Sequence, residues 1–407
     1  MFEVRLPVHN GSHHKAVEYP RPSTSQRIVV VSEPILDETL LKYGSGINVW
    51  RDHKIVITGG DKIFEKPLRR EWGGPGIYVP TAIAKDGHEV TLHGIFGKDG
   101  SERDAIEVLV QNGVRVVPIK ILETSPKAAV NLVSSQDGTI HESYVSERKL
   151  EEERVFCEGK LVGALIHQQE LAKAGNNRFM RLLIPMVDWV KNRITHNAEI
   201  PQINLVYLTS VRGRWEPAWE GALNFIQSNN IPLAVHFGSY QRDDLNEIAM
   251  TALAMSDYYV ANKAEAIGVY NKINGTSLEG VDTIDLLRAL YIFGGKRREV
   301  MITEAQNGFT TLDLGGTAYY SRPYGYDVVN PNGAGDNASG IFISSRLHGF
   351  DNPTTNKRVG IAANRIIGQE GALGQYTYVE LNKAIEGTDY SVEAVYSIEP
   401  TVFSVAA

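Results

Sequence analysis

Hydrophobic and polar positions follow two patterns along this chain. Short apolar runs rich in β-branched residues, such as RIVVVS from residue 27 and EVTLHGIFG from residue 89, predict buried β-strands. Apolar residues three or four positions apart predict helices, as in SERDAIEVLVQNG, which Ser101 would cap and Gly113 would end. From residue 204 onwards the two patterns alternate. This alternation predicts βαβ units, and therefore an α/β fold with helices on both faces of a mainly parallel sheet.

Three parts of the chain depart from this alternation. Short β-like pieces at about 44–70 and a predicted hairpin within 118–146 fit a small separate sheet, whose strands would be close in space though distant in sequence. Residues 148–200 contain helix-like amphipathic segments joined by polar connectors. They predict either an extra helical layer or a contact in a homodimer, and no chemical role follows from them.

Composition and charge argue against some classes of binding partner, namely nucleic acids and membranes, and indicate a cellular compartment. The 407 residues carry a net charge of −7 with acidic and basic residues interspersed, so we expect no nucleic-acid partner. No apolar run approaches the roughly 20 residues that cross a bilayer, and the first 26 residues lack the apolar core of a signal peptide, so we expect no membrane attachment. The single cysteine, Cys157, excludes an internal disulfide and favours a reducing compartment, the cytoplasm.

The string NPNGAGD, residues 330–336, carries a chemical signal. Gly333, Ala334 and Gly335 precede Asp336 where a predicted strand gives way to a helix. Small residues at a helix N-terminus let backbone N–H groups approach a phosphate, and a carboxylate there can accept the proton of an attacking hydroxyl. The alternative is structural, with Gly335 serving a tight turn and Asp336 capping the helix. The local string leaves both interpretations open.

The same string resembles the DTxGAGD signature of the ribokinase-like, or PfkB, family of carbohydrate and nucleoside kinases. Further landmarks occur in the family's order over roughly 27–150 and 200–375. They are Asp37 at the end of the first strand in VVVSEPILD, Gly73 and Gly74 opening GGPGIYVPTAIAKDG, an NxxE motif at Asn262 and Glu265, a TxGxxG-like loop from Thr303 to Gly308, and Asn364 in GIAANRIIGQEGALG.

The resemblance implies a three-layer sandwich with a mainly parallel central sheet and a small β-sheet lid. Its domain bounds would be a tail at 1–26 and a kinase domain at 27–400. Within that domain the lid segments would span about 38–72 and 117–147, followed by the atypical helical insertion at about 148–200.

The implied activity is ATP-dependent phosphoryl transfer, with Mg²⁺, to the primary hydroxyl of a small-molecule substrate, a nucleoside or a sugar. Asp336 would be the general base, with the amides of Gly333, Ala334 and Gly335 as the anion hole. The other implied roles are substrate binding by Asp37, Gly73, Gly74 and Tyr78, nucleotide binding by Thr303, Ala305, Gly308, Asn332 and Asn364, and magnesium contact through water by Asn262 and Glu265.

Several positions depart from the family pattern, among them Pro80, which lies where a small residue is common. Asn330 and Pro331 replace Asp-Thr, Ala305 replaces the middle glycine of the nucleotide loop, Tyr78 replaces an asparagine that reaches the sugar, and His236 lies where a carboxylate is common. Tyr78 fits either stacking on a ring or filling the pocket. Tyr78, Pro331, Ala305 and the 148–200 insertion motivate an alternative, a catalytically weak or inactive relative that binds a nucleotide or a protein. A dinucleotide-binding oxidoreductase is disfavoured, since GAGD lacks GxGxxG spacing.

Overall fold

A computed structural model describes most of the chain outside the N-terminal tail and the predicted insertion. The described residues are 22–43, 47–51, 54–57, 62–63, 69–97, 102–122, 127–134, 140–145, 203–211, 216–238, 241–242, 245–323, 332–369, 373–374 and 376–397. Cys157, Ser101 and the 148–200 segment lie outside them.

The described strands and helices follow one another largely as the sequence patterns predict. The strands are β1 Arg27–Ser32, β2 Ile35–Tyr43, β3 Ile47–Arg51, β4 Lys54–Ile57, β5 Lys62–Ile63, β6 Arg69–Gly73, β7 Glu89–Gly97, β8 Val114–Leu122, β9 Lys127–Ser134, β10 Ile140–Val145, β11 Leu205–Leu208, β12 Leu233–His236, β13 Tyr258–Asn262, β14 Glu299–Thr303, β15 Phe309–Leu312, β16 Thr317–Ser321 and β17 Val392–Ser397. The helices are α1 Pro75–Lys85, α2 Glu102–Gln111, α3 Glu216–Asn229, α4 Glu247–Met255, α5 Lys263–Asn274, α6 Thr283–Tyr291, α7 Ala334–Leu347, α8 Asn352–Ile367 and α9 Tyr378–Glu386.

Ten strands form the central sheet, in the order β17-β16-β15-β14-β13-β12-β11-β1-β7-β8. Neighbours from β14 to β8 pair in parallel, and β15, β16 and β17 continue the sheet antiparallel at one edge. The prediction of a mainly parallel sheet is therefore confirmed.

Two helical layers cover this sheet. Successive residues of β1 point to opposite faces, so Val29 and Val31 enter one hydrophobic cluster while Ile28 and Val30 enter the other. The first cluster is completed by side chains from α3 to α6, and the second by side chains from α1, α2 and α7 to α9. The three-layer sandwich is thus explained by strands that are apolar on both faces. None of the described helices is long and apolar enough to cross a membrane.

A second, five-stranded sheet joins segments that are distant in sequence. Its order is β10-β9-β2-β5, with β6 also paired to β2, while β3 and β4 form a separate two-stranded ribbon. The hairpin of β9 and β10 and the separate small sheet are confirmed, and its action as a lid stays a prediction. Asp37 is not at the end of β1: it lies within β2, because the chain turns at residues 33–34 and the strand restarts.

The last turn of α7 is held by a buried ion pair. Asp86, the residue after α1, binds the guanidinium of Arg358 from α8, and neither side chain is exposed to solvent. Ser344 of α7 donates a hydrogen bond of 2.5 Å to the second oxygen of Asp86, and Arg358 Nε donates to Ser345 Oγ at 2.9 Å. These contacts fix α7 relative to α1 and α8 at the end of the helix that is remote from Asp336.

We expect Arg358→Ala to lower the free energy of unfolding by about 3–5 kcal/mol, because it leaves the Asp86 carboxylate buried without its cation. Urea denaturation followed by circular dichroism measures the change. Arg365→Ala, on the exposed side of the same helix, is the matched control and should change stability by less than about 0.5 kcal/mol. Equal effects of the two substitutions would contradict a structural role for the ion pair.

Candidate active site

Three parallel strands end side by side at one edge of the central sheet. His236 is the last residue of β12, Asn262 of β13 and Thr303 of β14. In the sheet register Asn262 pairs with Thr303, and His236 pairs with Val260 two residues before Asn262. The carboxyl ends of parallel strands are where ligands bind in α/β folds, so this edge is the natural place for a site.

Helix α7 begins opposite these strand ends. Gly333 is its N-cap, with φ of 70° in the left-handed region, and no side chain caps the helix. Asp336 is the third helical residue, so the interpretation of Asp336 as a cap is wrong. The turn geometry requires glycine at Gly333, not at Gly335, which has helical backbone angles and no atom within 4 Å of where a Cβ would lie. The fold itself therefore does not explain a glycine at position 335.

Strand ends and helix start enclose a pocket of about 190 Å³. Six of its lining residues are ones that the sequence motifs single out: Gly333, Gly335, Asp336, Asn262, Glu265 and Thr303. The others are His236, Val260, Ala261 and Ser339. Segments separated by up to a hundred residues in sequence thus meet in one place.

The carboxylate of Asp336 is half-buried and accepts no hydrogen bond from any described residue. Burial raises its pKa to about 6, with the Glu265 carboxylate adding to the rise and His236 opposing it. A carboxylate with a pKa near neutrality is better suited to accept a proton than one at its ordinary value.

His236 forms an ion pair with Glu265, with 3.3 Å between Nε2 and Oε2. Burial acts to lower the pKa of His236, but the hydrogen bond and charge of Glu265, together with the charge of Asp336, outweigh it and raise the pKa. The pocket therefore contains two carboxylates with one imidazole beside them.

The NxxE motif forms a capping box at the start of α5. Asn262 Oδ1 accepts the backbone N–H of Glu265 at 2.9 Å, and Glu265 Oε2 accepts the backbone N–H of Asn262 at 2.9 Å. Asn262 is thus a helix cap, while Glu265, at 8% exposure, is no surface charge. Oε1 of Glu265 accepts no hydrogen bond from a described residue, so it is the atom left for a water-mediated contact. Among the described residues no three histidine, cysteine or acidic side chains form a metal-binding group.

The loop after β14 keeps the backbone shape that glycine favours despite its alanine. Ala305 has φ of 50°, in the left-handed region, and Gly308 has φ of 86°. A Cβ on Gly308 would lie 2.1 Å from the backbone oxygen of Ser321 in β16. Gly308 is therefore required by the hairpin of β14 and β15, independently of any nucleotide. Glu304 ties this loop to α5 and α6 through Lys263 at 2.7 Å and Thr283 at 2.8 Å.

Several residues singled out by sequence do not line the pocket. Tyr78, a residue of α1, is 3% exposed and belongs to the second core cluster, and its predicted role at the substrate stays a prediction. Gly74 is the N-cap of α1 with φ of 70°, but at this helix start the close approach to another backbone segment is at Gly76, where a Cβ would lie 2.4 Å from the carbonyl of Glu33. The side chain of Asp37 lies outside the described residues.

Three further residues that were predicted to contact the nucleotide or its phosphates lie at the ends of helices or within them. Asn332 and Ala334 flank the Gly333 turn, and Asn364 is buried in α8, its Nδ2 without a hydrogen-bond partner among the described residues. Their predicted roles stay predictions. Ser339 was not predicted, although its spacing of three residues from Asp336 on one helix places both on the same face. His236 was noted only as a departure from the family pattern.

Because the pKa of Asp336 is raised, its ionisation opposes folding at neutral pH. The folded state binds more protons between about pH 4 and pH 6, so this contribution to stability is lost as pH rises through that window. Asp336→Asn should therefore stabilise the protein by roughly 1–3 kcal/mol at pH 7 and by much less at pH 4, measured by thermal unfolding across pH.

Asp351→Asn is the matched control. The hydrogen bonds that Asp351 accepts from Thr354 at the N-terminus of α8 lower its pKa, so its ionised form is stabilising. This substitution should give no gain at pH 7. A gain that is the same at both pH values in Asp336→Asn would contradict a raised pKa.

Comparison by sequence finds no relatives: no protein-family model matches the chain, and no curated protein matches it. Comparison of three-dimensional structure finds solved proteins with a similar fold. Phosphofructokinase-2 from Escherichia coli, in complex with substrates and products, matches with a TM-score of 0.59 at 15% identity, over 89% of this chain and 99% of the other. A carbohydrate kinase from Agrobacterium tumefaciens matches with 0.58 at 16% identity, over 90% and 99%.

A protein described as ribokinase II from Escherichia coli, in complex with ATP and Mg²⁺, matches with a TM-score of 0.57 at 14% identity, over 89% of this chain and 100% of the other. At such identities the likeness defines the fold rather than the activity. The structure and these comparisons together confirm the fold predicted from the sequence motifs: the chain has the ribokinase-like fold of PfkB-type kinases.

Proposed function

We propose that the protein is an ATP-dependent kinase that transfers a phosphoryl group to the primary hydroxyl of a sugar or nucleoside. The observation that carries this proposal is the carboxylate of Asp336, which accepts no hydrogen bond from a described residue and lines a pocket at the strand ends from the first turn of α7. Solved kinases of the same fold, among them one with ATP and Mg²⁺ and one with substrates and products, support the reaction class.

Asp336 would act as the general base. As the acceptor oxygen forms a bond to the γ-phosphorus, the bond from that phosphorus to the β–γ bridging oxygen breaks, and ADP leaves. The hydroxyl proton passes to the Asp336 carboxylate, which no described residue occupies with a hydrogen bond. Its pKa of about 6 keeps it ionised at neutral pH while leaving it more basic than an ordinary aspartate.

The amides of the α7 N-terminus would stabilise the transferring group. The first N–H groups of a helix have no partner within it, and no side chain caps α7. Negative charge that develops on the phosphoryl oxygens is therefore met by oriented N–H groups and by the positive end of the helix. Gly335 would let the phosphate approach closely, which supplies the reason for a glycine that the fold does not require.

Glu265 and Asn262 fit an indirect contact with a magnesium ion. Oε1 of Glu265 is not hydrogen-bonded by a described residue, and Glu265 lines the pocket, so it can accept a hydrogen bond from metal-bound water. Mg²⁺ bound with the nucleotide would neutralise phosphate charge. Asp37, in β2 of the small sheet, would hold the acceptor hydroxyls, as the family resemblance implies.

The role of Asp336 is tested by Asp336→Asn. Because the amide cannot accept the proton as a carboxylate does, kcat should fall by about two or more orders of magnitude with binding little changed. In the wild type kcat/KM should rise with pH to about 6 and then level off, since only the ionised carboxylate acts as base. ADP release with Mg²⁺-ATP and a panel of sugars and nucleosides gives the rates, and calorimetry gives the binding.

Undiminished turnover in Asp336→Asn would end its assignment as base. Binding of nucleoside or ATP by the wild type, with no phosphorylated product across the whole panel, would instead favour the alternative of a nucleotide-binding relative without activity.

The glycines provide a second test. Gly335→Ala should leave stability unchanged or slightly higher, because a Cβ there meets nothing, yet lower turnover by roughly tenfold or more by displacing the phosphate from the amides. Gly308→Ala is the matched contrast: its Cβ would meet the Ser321 backbone at positive φ, so it should lower stability by about 1–3 kcal/mol. Full activity in a folded Gly335→Ala variant would count against the phosphate position.

A further inference from the structure

His236 is the last residue of β12 and lines the same pocket as the carboxylates of Glu265 and Asp336, side chains of types that bind metal ions. Nevertheless, neither nitrogen of its imidazole ring is available to bind a metal ion. Nε2 faces Glu265 Oε2 at 3.3 Å, and Nδ1 is buried with no hydrogen-bond partner among the described residues. A ligand to a metal ion needs a lone pair that is accessible from the site, whereas Nε2 is engaged with Glu265 and Nδ1 is buried.

Glu265 is in turn held in one orientation by two donors. Its Oε2 faces His236 and accepts the Asn262 backbone N–H at 2.9 Å, while Oε1 accepts no hydrogen bond from a described residue. The imidazole of His236 adds a second contact to Glu265 Oε2. This second contact matters because the capping contact alone would leave the carboxylate free to rotate. Held in this way, Glu265 presents one defined oxygen towards the pocket.

The charge of the pocket follows from the same arrangement. Glu265 and Asp336 are the acidic groups that act on His236. A carboxylate at position 236 would make three acidic side chains around one pocket, a set that strongly attracts a divalent cation. With histidine there, no group of three metal-binding side chains exists in the described part of the chain.

We propose that His236 is a positioning residue that orients Glu265 and leaves the pocket with low affinity for a free divalent cation, so that metal enters only with the nucleotide. The inference deepens the proposed function and rests on it for the identity of the metal–nucleotide ligand. It goes beyond that function by assigning a purpose to a residue at which this chain departs from its family's pattern.

Binding of Mn²⁺ alone to the full chain, measured by electron paramagnetic resonance, tests the charge argument without any turnover. The wild type should bind with a Kd weaker than about 1 mM. His236→Glu should tighten binding by about tenfold or more, since it adds a third carboxylate. Gln227→Glu, which adds the same charge on the exposed face of α3, is the control and should change nothing.

Affinity for Mg²⁺-ADP, measured by calorimetry, tests the positioning argument. His236→Ala should weaken it by about three- to tenfold, because Glu265 loses a donor, whereas His236→Gln keeps an N–H donor and should lose less. Equal affinity of the wild type, His236→Ala and His236→Gln would overturn the proposal, and this comparison decides the matter if His236→Glu does not fold. Tight Mn²⁺ binding by the wild type would overturn it as well.

The outcomes separate this inference from the proposed function. Mn²⁺ binding as expected, together with no phosphorylated product, would leave the account of His236 standing and remove the kinase activity. Phosphorylated product, together with an unchanged Mn²⁺ affinity in a folded His236→Glu variant, would leave the kinase activity standing and remove the account of His236.

Discussion

Helix α7 is fixed at its two ends by different physical means, and the geometry of the site depends on both. At its start the left-handed backbone of Gly333 turns the chain so that the first helical N–H groups face the ends of β12, β13 and β14. At its end Ser344 and Ser345 bind the buried pair of Asp86 and Arg358. A buried charge without its partner is strongly unfavourable, so this contact has little freedom to shift. The contacts at the end of α7 therefore position the helix that carries Asp336 relative to α1 and α8.

The pocket itself opposes folding. Asp336 is charged in a place where burial disfavours the charge, and Glu265 beside it adds repulsion. His236 offsets part of this effect by pairing with Glu265. An asparagine at position 336 would avoid this penalty, so the stability of the fold does not explain a carboxylate there. Residues that lower the stability of the fold are expected at functional sites. The charged side chain of Asp336 is therefore an argument for a chemical role of this pocket.

The loop of residues 303–308 shows how the fold alone can require a glycine that a sequence motif associates with nucleotide binding. Gly308 is required by the close approach of Ser321, and Ala305 adopts the left-handed conformation that glycine adopts more readily. The departure at Ala305 therefore alters the energy of the loop and not its shape. Among the residues that motivated an inactive relative, Ala305 is therefore a weaker argument than the sequence suggests, while the role of Tyr78 in the core cluster stays a prediction.

Much of the architecture and part of the site follow from the sequence alone. Periodicity identifies β1, β7 and the alternating elements from β11 to β15, because strand and helix patterns depend on residues that are neighbours along the chain. The glycine string before Asp336 and the spacing of Asn262 and Glu265 are local in the same way. Those motifs were sufficient to predict the ribokinase-like fold at a level where sequence comparison finds no relative.

Other features depend on which distant segments the sheet order brings together. The pocket joins strand ends around residues 236, 262 and 303 to a helix start at 334, so neither the inclusion of His236 nor the raised pKa of Asp336 is visible in any local string. The same holds for Tyr78, whose burial depends on the layers packed around α1, and for Asp37, which a two-residue turn moves from the first strand into the second sheet. The effects of burial and of neighbouring charges on a pKa depend on distances through space, and only the tertiary structure defines those distances.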